Sequence, residues 1–160
     1  MTKVANIILY MLHKQVTSVN DKKVLIMLFL MEHNHLNFCN KKIINEVFIK
    51  EARQPRAVVL SELFEIILSE DDLEEDDERV YFIQELMDFL ELDIVEKSSH
   101  KELHFSKYEE DFDESLFTAD EMKTIHKVVN DFKNTSPRNI ANDCFNIELV
   151  RKTPIGEIIL

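Results

Sequence analysis

The side chains that could do chemistry in this chain are six histidines, two cysteines and 31 carboxylates. His33 and His35 lie close to Glu32 and Cys39, a set that could ligate a metal if it converged. On a helix, positions two apart point to different faces. On a strand they would share a face, but a fourth ligand would have to come from elsewhere. Glu32-His33-Asn34-His35 is not the H-E-x-x-H spacing of a zinc helix. These histidines, like His13, His100, His104 and His126, are therefore expected to be structural or superficial, and no metal or other cofactor is expected. Cys39 and Cys144 belong to no C-x-x-C pair and to no disulfide-like framework. Cys144 has no histidine or basic cluster nearby in sequence to activate it, and Cys39, four residues after His35, is not expected to act as a nucleophile either. Two reduced, partly buried thiols are the expectation, in keeping with a cytoplasmic setting.

Acid–base catalysis needs one carboxylate in an apolar pocket and another in a polar setting. Glu51, beside Val47, Ile49 and Val58, is the best candidate for the buried one. The plainer reading pairs it with Arg53 or Arg56 at a strand end. Gly156 is the only glycine in the 160 residues. Neither G-x-G-x-x-G nor G-x-x-x-x-G-K can be written, so phosphate-cradling loops of the usual kinds are excluded. G-x-S-x-G is excluded on the same ground. The expectation is a protein that is not an enzyme and acts through its surface.

That surface is acidic, with a net charge of −12. Such a chain is repelled by phosphate backbones and anionic membranes, which disfavours nucleic acid and points to a basic protein partner. Residues 70–78 are acidic at every position but Leu73. They read as an exposed loop or the solvated first turn of a helix, or as a docking patch for such a partner. Contact residues expected on these grounds are Glu74, Glu75 and Asp76, with Arg53 and Arg56 added below. The longest apolar run, Val24–Met31, is far too short to span a membrane, and the start at Met1-Thr2-Lys3 shows no signal-peptide pattern.

The elements that must position these residues are mainly helical. Val4, Ile8, Met11 and Leu12 share one helical face, predicting a helix over 3–15. Asn20 or Asp21 caps a second, over 21–38, whose middle is apolar all round and so belongs at the centre of a core. Lys41–Glu51 reads as a strand ended by Pro55. Leu60, Leu63, Phe64 and Ile67 predict a helix over 57–68. A further one over 79–91 presents Ile83, Leu86, Met87 and Leu90. Ile94-Val95-Glu96 and Leu103-His104-Phe105 flank a polar turn, predicting a short hairpin. Thr118 and Glu121 form a capping box ahead of a helix that presents Met122, Ile125, Val129 and Phe132. Ser136-Pro137 opens another with Ile140, Ala141 and Cys144 inward. The sum is one α+β domain over 1–160, predominantly α-helical, with about six helices and a small antiparallel β element. Phe132–Leu149 also has helix–turn–helix spacing. A DNA-binding regulator using Arg138, Asn139 and Asn142 is the alternative reading, although Asp143 follows and the net charge opposes it.

Several stretches, in order along nearly the whole chain, resemble the SocA-like antitoxin (Panacea) domain. Val4-Ala5-Asn6-Ile7-Ile8-Leu9 resembles its "VANYFL" opening, and Lys22–Phe29 stands where the family has "LKLQKLLYF". Glu51-Ala52, Val58-Val59 and Glu62-Leu63-Phe64 resemble "EAW..GPVV.ELY". Leu116–Glu121 resembles "LS.EE", and Ser136–Ala141 falls where the family shows "SAKELS". The chain departs from this pattern at Arg53, where the family has tryptophan, at Pro55-Arg56-Ala57, which replaces "YGP", and at Cys144-Phe145, which replaces "TH". The resemblance implies a mainly helical, non-catalytic, often phage-associated domain. Such a domain neutralises a cognate toxin by binding it or by presenting it to a cytosolic protease.

Overall fold

Asn20 starts the central element. Its side chain accepts the Lys23 N–H at 2.9 Å and caps α2 (Asp21–Cys39), satisfying a donor that the first helical turn leaves unpaired. Every residue from Lys23 to Glu32 is buried, as an apolar run with no polar face requires. The other elements surround it. The computed structural model describes residues 1–160. It contains α1 (Thr2–His13), β1 (Phe48–Lys50), β2 (Pro55–Ala57), α3 (Val58–Ser69), α4 (Glu78–Met87), β3 (Leu90–Glu96), β4 (Lys101–Lys107), α5 (Ala119–Phe132), α6 (Pro137–Asn146) and α7 (Glu148–Lys152). The fold is α+β and predominantly helical, with two small antiparallel sheets, β1–β2 and β3–β4. No helix is long and apolar enough to cross a membrane.

Capping chemistry places the late helices. Thr118 and Glu121 form the full reciprocal box at the start of α5, each bond 3.1 Å. Glu121 also pairs with Lys3 at 3.1 Å, tying α1 to α5. Ser136 accepts the Asn139 N–H at 3.2 Å, and Pro137 takes the first position of α6.

The structure corrects several expectations. The predominantly helical α+β class is as expected, and the helices number seven because Ile147 adopts an extended backbone that ends α6 and starts α7. The strand expected over Lys41–Glu51 contracts to Phe48–Lys50. Pro55 does not terminate the β structure but opens β2, opposite Lys50. A proline suits the first residue of an edge strand, because its missing N–H is not needed there. The helix expected over 79–91 stops at Met87, and Leu90 instead begins β3. Met87 is exposed.

Three buried charges hold the loops. Lys23 donates to the Thr17 carbonyl at 2.7 Å, the Thr17 hydroxyl at 3.2 Å and the Lys133 carbonyl at 3.0 Å. It thereby pins the α1–α2 turn to the end of α5. Glu32 accepts the N–H of Ile43 at 3.1 Å and of Ile44 at 2.5 Å. Glu46 accepts the N–H of Val47 at 2.9 Å and of Val59 and Leu60 at 3.1 Å each. Glu46 thus caps α3 from a distance, where the local N-cap, Ala57, has no side-chain acceptor. Burial pushes the Lys23 ammonium down to about 8 and raises the Glu32 carboxyl above its ordinary value, as desolvation disfavours either charged form.

Candidate partner-binding groove

The core histidine and thiol are spoken for. His35 is buried and bonds Thr124 Oγ1 through Nδ1 at 3.0 Å. His33 faces outward between Asn34 and Asn37. The two imidazoles therefore diverge, as expected for positions two apart on a helix. No group of three or more histidine, cysteine, aspartate or glutamate side chains converges as a metal site would require. Cys144 is fully buried, and its thiol is pushed up to about 12 by burial and by the Asp143 carboxylate, which leaves it protonated and unreactive at neutral pH. Of the two readings of Glu51, the structure bears out the plainer one, a strand-end acid beside Arg56, and not the buried acid. Its side chain is half exposed and lies 3.8 Å from Arg56. The buried acids are Glu32, Glu46 and Glu121, and each accepts backbone hydrogen bonds.

The distinctive surface feature is a groove of about 830 Å³. Four segments build it. The start of α2 contributes Asn20 and Lys22, and the β1–β2 connection contributes Ala52, Arg53 and Gln54. The β3–β4 hairpin contributes His100 from its turn and Glu102 from β4, and α6 contributes Arg138, Asn142 and Phe145. The capped start of α6 fixes where Arg138 stands. The β1–β2 register, with Lys50 opposite Pro55, fixes the loop that carries Arg53.

Two arginines without ion-pair partners stand at this groove. Of the five arginines, only Arg56 and Arg79 form ion pairs. Two of the other three, Arg53 and Arg138, line the groove, and both are exposed. Lys22, at the same surface, also has no carboxylate partner. The single acid, Glu102, is already engaged: His104 approaches its carboxylate at 2.9 Å and His100 at 3.0 Å. These hydrogen bonds, with Lys97 and Lys22 nearby, hold it down to about 2. A chain of net charge −12 thus keeps, at this recess, two arginines with no ion-pair partner.

A smaller hollow of about 270 Å³ adjoins the groove and shares Lys22, Arg53 and Gln54 with it. Arg56 lines the hollow, but its guanidinium is clamped by both oxygens of Glu65, with Nη2 at 3.0 Å from Oε2. That clamp raises its pKa further. The structure therefore brings Arg53 together with Arg138 and Asn142, whereas Arg56 is spent internally. Glu74, Glu75 and Asp76 line neither recess. They are exposed in the connection between α3 and α4. Within residues 71–78 only Asp77 forms an ion pair, with Arg79 at 2.6 Å. Lys22, Gln54 and the His100–Glu102 pair escaped the sequence reading, because four separate segments meet at the groove and no local spacing signals it. The Lys22-Lys23 doublet ahead of the apolar run was the available hint.

Comparison with known proteins adds no relative: no family model, curated protein or solved structure matches this chain.

Proposed function

We propose that this protein works by binding another protein, as a cytoplasmic, antitoxin-like domain. It engages a basic toxin, and either sequesters it or presents it to a protease. The observation that carries this reading is the state of residues 71–78. Asp71, Asp72, Glu74, Glu75, Asp76 and Glu78 have no internal cation, yet the segment is anchored. Asp77 caps α4, and the Asp77 N–H bonds the Glu74 carbonyl at 3.0 Å. Closely spaced like charges repel each other, and a basic surface relieves that repulsion on contact. The ordered likeness to the SocA-like pattern supports the same reading. The test is coexpression with the protein encoded next to this one. A salt-sensitive complex and rescue of growth are expected. Failure both to copurify and to rescue would refute the proposal.

The DNA-reading alternative has less support. Arg138, Asn139 and Asn142 are exposed on α6, but Asp143 follows them and a net charge of −12 opposes a phosphate backbone. Absence of retardation of the chain's own upstream DNA at low salt would close it.

A further inference from the structure

The cationic groove is on the opposite side of the charge ledger from the acidic loop and calls for a different ligand. We propose that it is a second docking site, which takes a short, extended acidic peptide segment of a protein partner. The charges that face it are Lys22, Arg53, Arg138 and Glu102, with the imidazole of His100 beside them. Glu102 is the one negative group among them, and its carboxylate is turned to the two imidazoles. The guanidinium forks of Arg53 and Arg138 have no carboxylate of their own, and a planar fork matches a carboxylate in a bidentate fashion.

The rest of the lining favours a peptide over a nucleic acid. Gln54 and Asn142 carry amides that can both donate to and accept from a peptide backbone. Ala52, Ala141 and Phe145 supply an apolar floor for the side chains that alternate with acids along an extended strand. A nucleic acid strand continues its charge beyond any one recess, and here it would run on to a surface of net charge −12. A short acidic segment ends where the cations end.

The site stands apart from the proposed partner of the 71–78 loop, and so does its test. The probe is a fluorescein-labelled peptide of alternating glutamate and alanine, about ten residues long, read by fluorescence anisotropy. Controls are the same peptide with glutamine for glutamate and a single-stranded oligodeoxynucleotide of equal charge. The glutamate peptide should bind, and the R53A/R138A double variant should weaken it about tenfold or more, the loss of at least one charge-assisted fork. E74Q/E75Q/D76N should bind it no less tightly than the wild type. Equal binding of the glutamine peptide, or undiminished binding by R53A/R138A with an unchanged circular dichroism melt, would overturn the proposal. So would an oligonucleotide that binds as tightly as the peptide and is lost in the same variant, which would assign the groove to nucleic acid.

Discussion

Lys22 and Lys23 are neighbours in sequence and opposites in use. Lys23 is buried and gives all its hydrogen bonds to Thr17 and Lys133. Lys22 lies one position on around the helix, lines the groove and has no carboxylate partner. The same division runs through the whole molecule. Glu32 and Glu46 are consumed by loop backbone, whereas Glu74, Glu75, Asp76, Arg53 and Arg138 are left unsatisfied at the surface. A buried charge is tolerated only when its hydrogen-bonding capacity is met inside. An exposed charge is solvated, costs little, and remains available to a partner. Internal satisfaction therefore marks which charges build this fold, and its absence marks which ones can recognise something else.

The largest way to break this comparison is to remove an internally satisfied acid. E46A strands the N–H groups of Val47, Val59 and Leu60 and uncaps α3. It should cost about 2–4 kcal/mol, roughly 5–12 °C in melting temperature. E32A, which frees Ile43 and Ile44, should fall in the same range. Thermal and urea unfolding followed by circular dichroism would check both. A loss below about 0.5 kcal/mol would show that these acids do not hold the loops.

K23M should come next, at about 2 kcal/mol, since it leaves the Thr17 carbonyl without a donor and removes one of the donors to the Lys133 carbonyl. Its pH dependence sharpens the point. The folded Lys23 loses its proton near 8, below the ordinary lysine value of 10.5. Between these values the unfolded chain binds more protons, so wild-type stability at this site rises with pH. The gap between wild type and K23M should widen between pH 8 and pH 10. A narrowing gap would contradict the burial of the ammonium.

Glu102 is a smaller case. Its folded pKa lies near 2 against an ordinary 4.5. Its contribution is therefore complete above pH 4.5 and is lost as pH falls toward 2. E102Q should flatten that part of the acid-unfolding curve relative to wild type, and an unchanged slope would contradict the imidazole contacts. Smallest of all, R53A/R138A and E74Q/E75Q/D76N should each change stability by less than about 0.5 kcal/mol.

Much of this architecture was legible in the sequence wherever one segment decides its own structure. The run Val24–Met31 is compatible with a strand by periodicity alone, but its leucines and methionines and its long flanks favour the central helix that forms. Thr118 with Glu121 and Ser136 with Pro137 marked helix starts to the residue. Legibility failed where the deciding partner lies far along the chain. Pro55 reads as a strand breaker until β1 pairs with it. Glu46 carries no local signal that it caps α3, whereas the pairing of Glu51 with Arg56 lies within one short stretch of sequence and was legible there. The groove failed for the same reason. Arg53 and Arg138 were each singled out, but for different purposes, and only tertiary packing brings them to one recess.

The most direct measurement is a binding titration of the neighbouring gene's protein with wild type and with E74Q/E75Q/D76N, each paired with a melting curve. The expected result is a salt-sensitive complex with wild type that is severely weakened in a variant melting at the wild-type temperature. A variant that binds as tightly as wild type, or a wild type that forms no complex, would contradict the idea that the internally unsatisfied acids are kept for a partner.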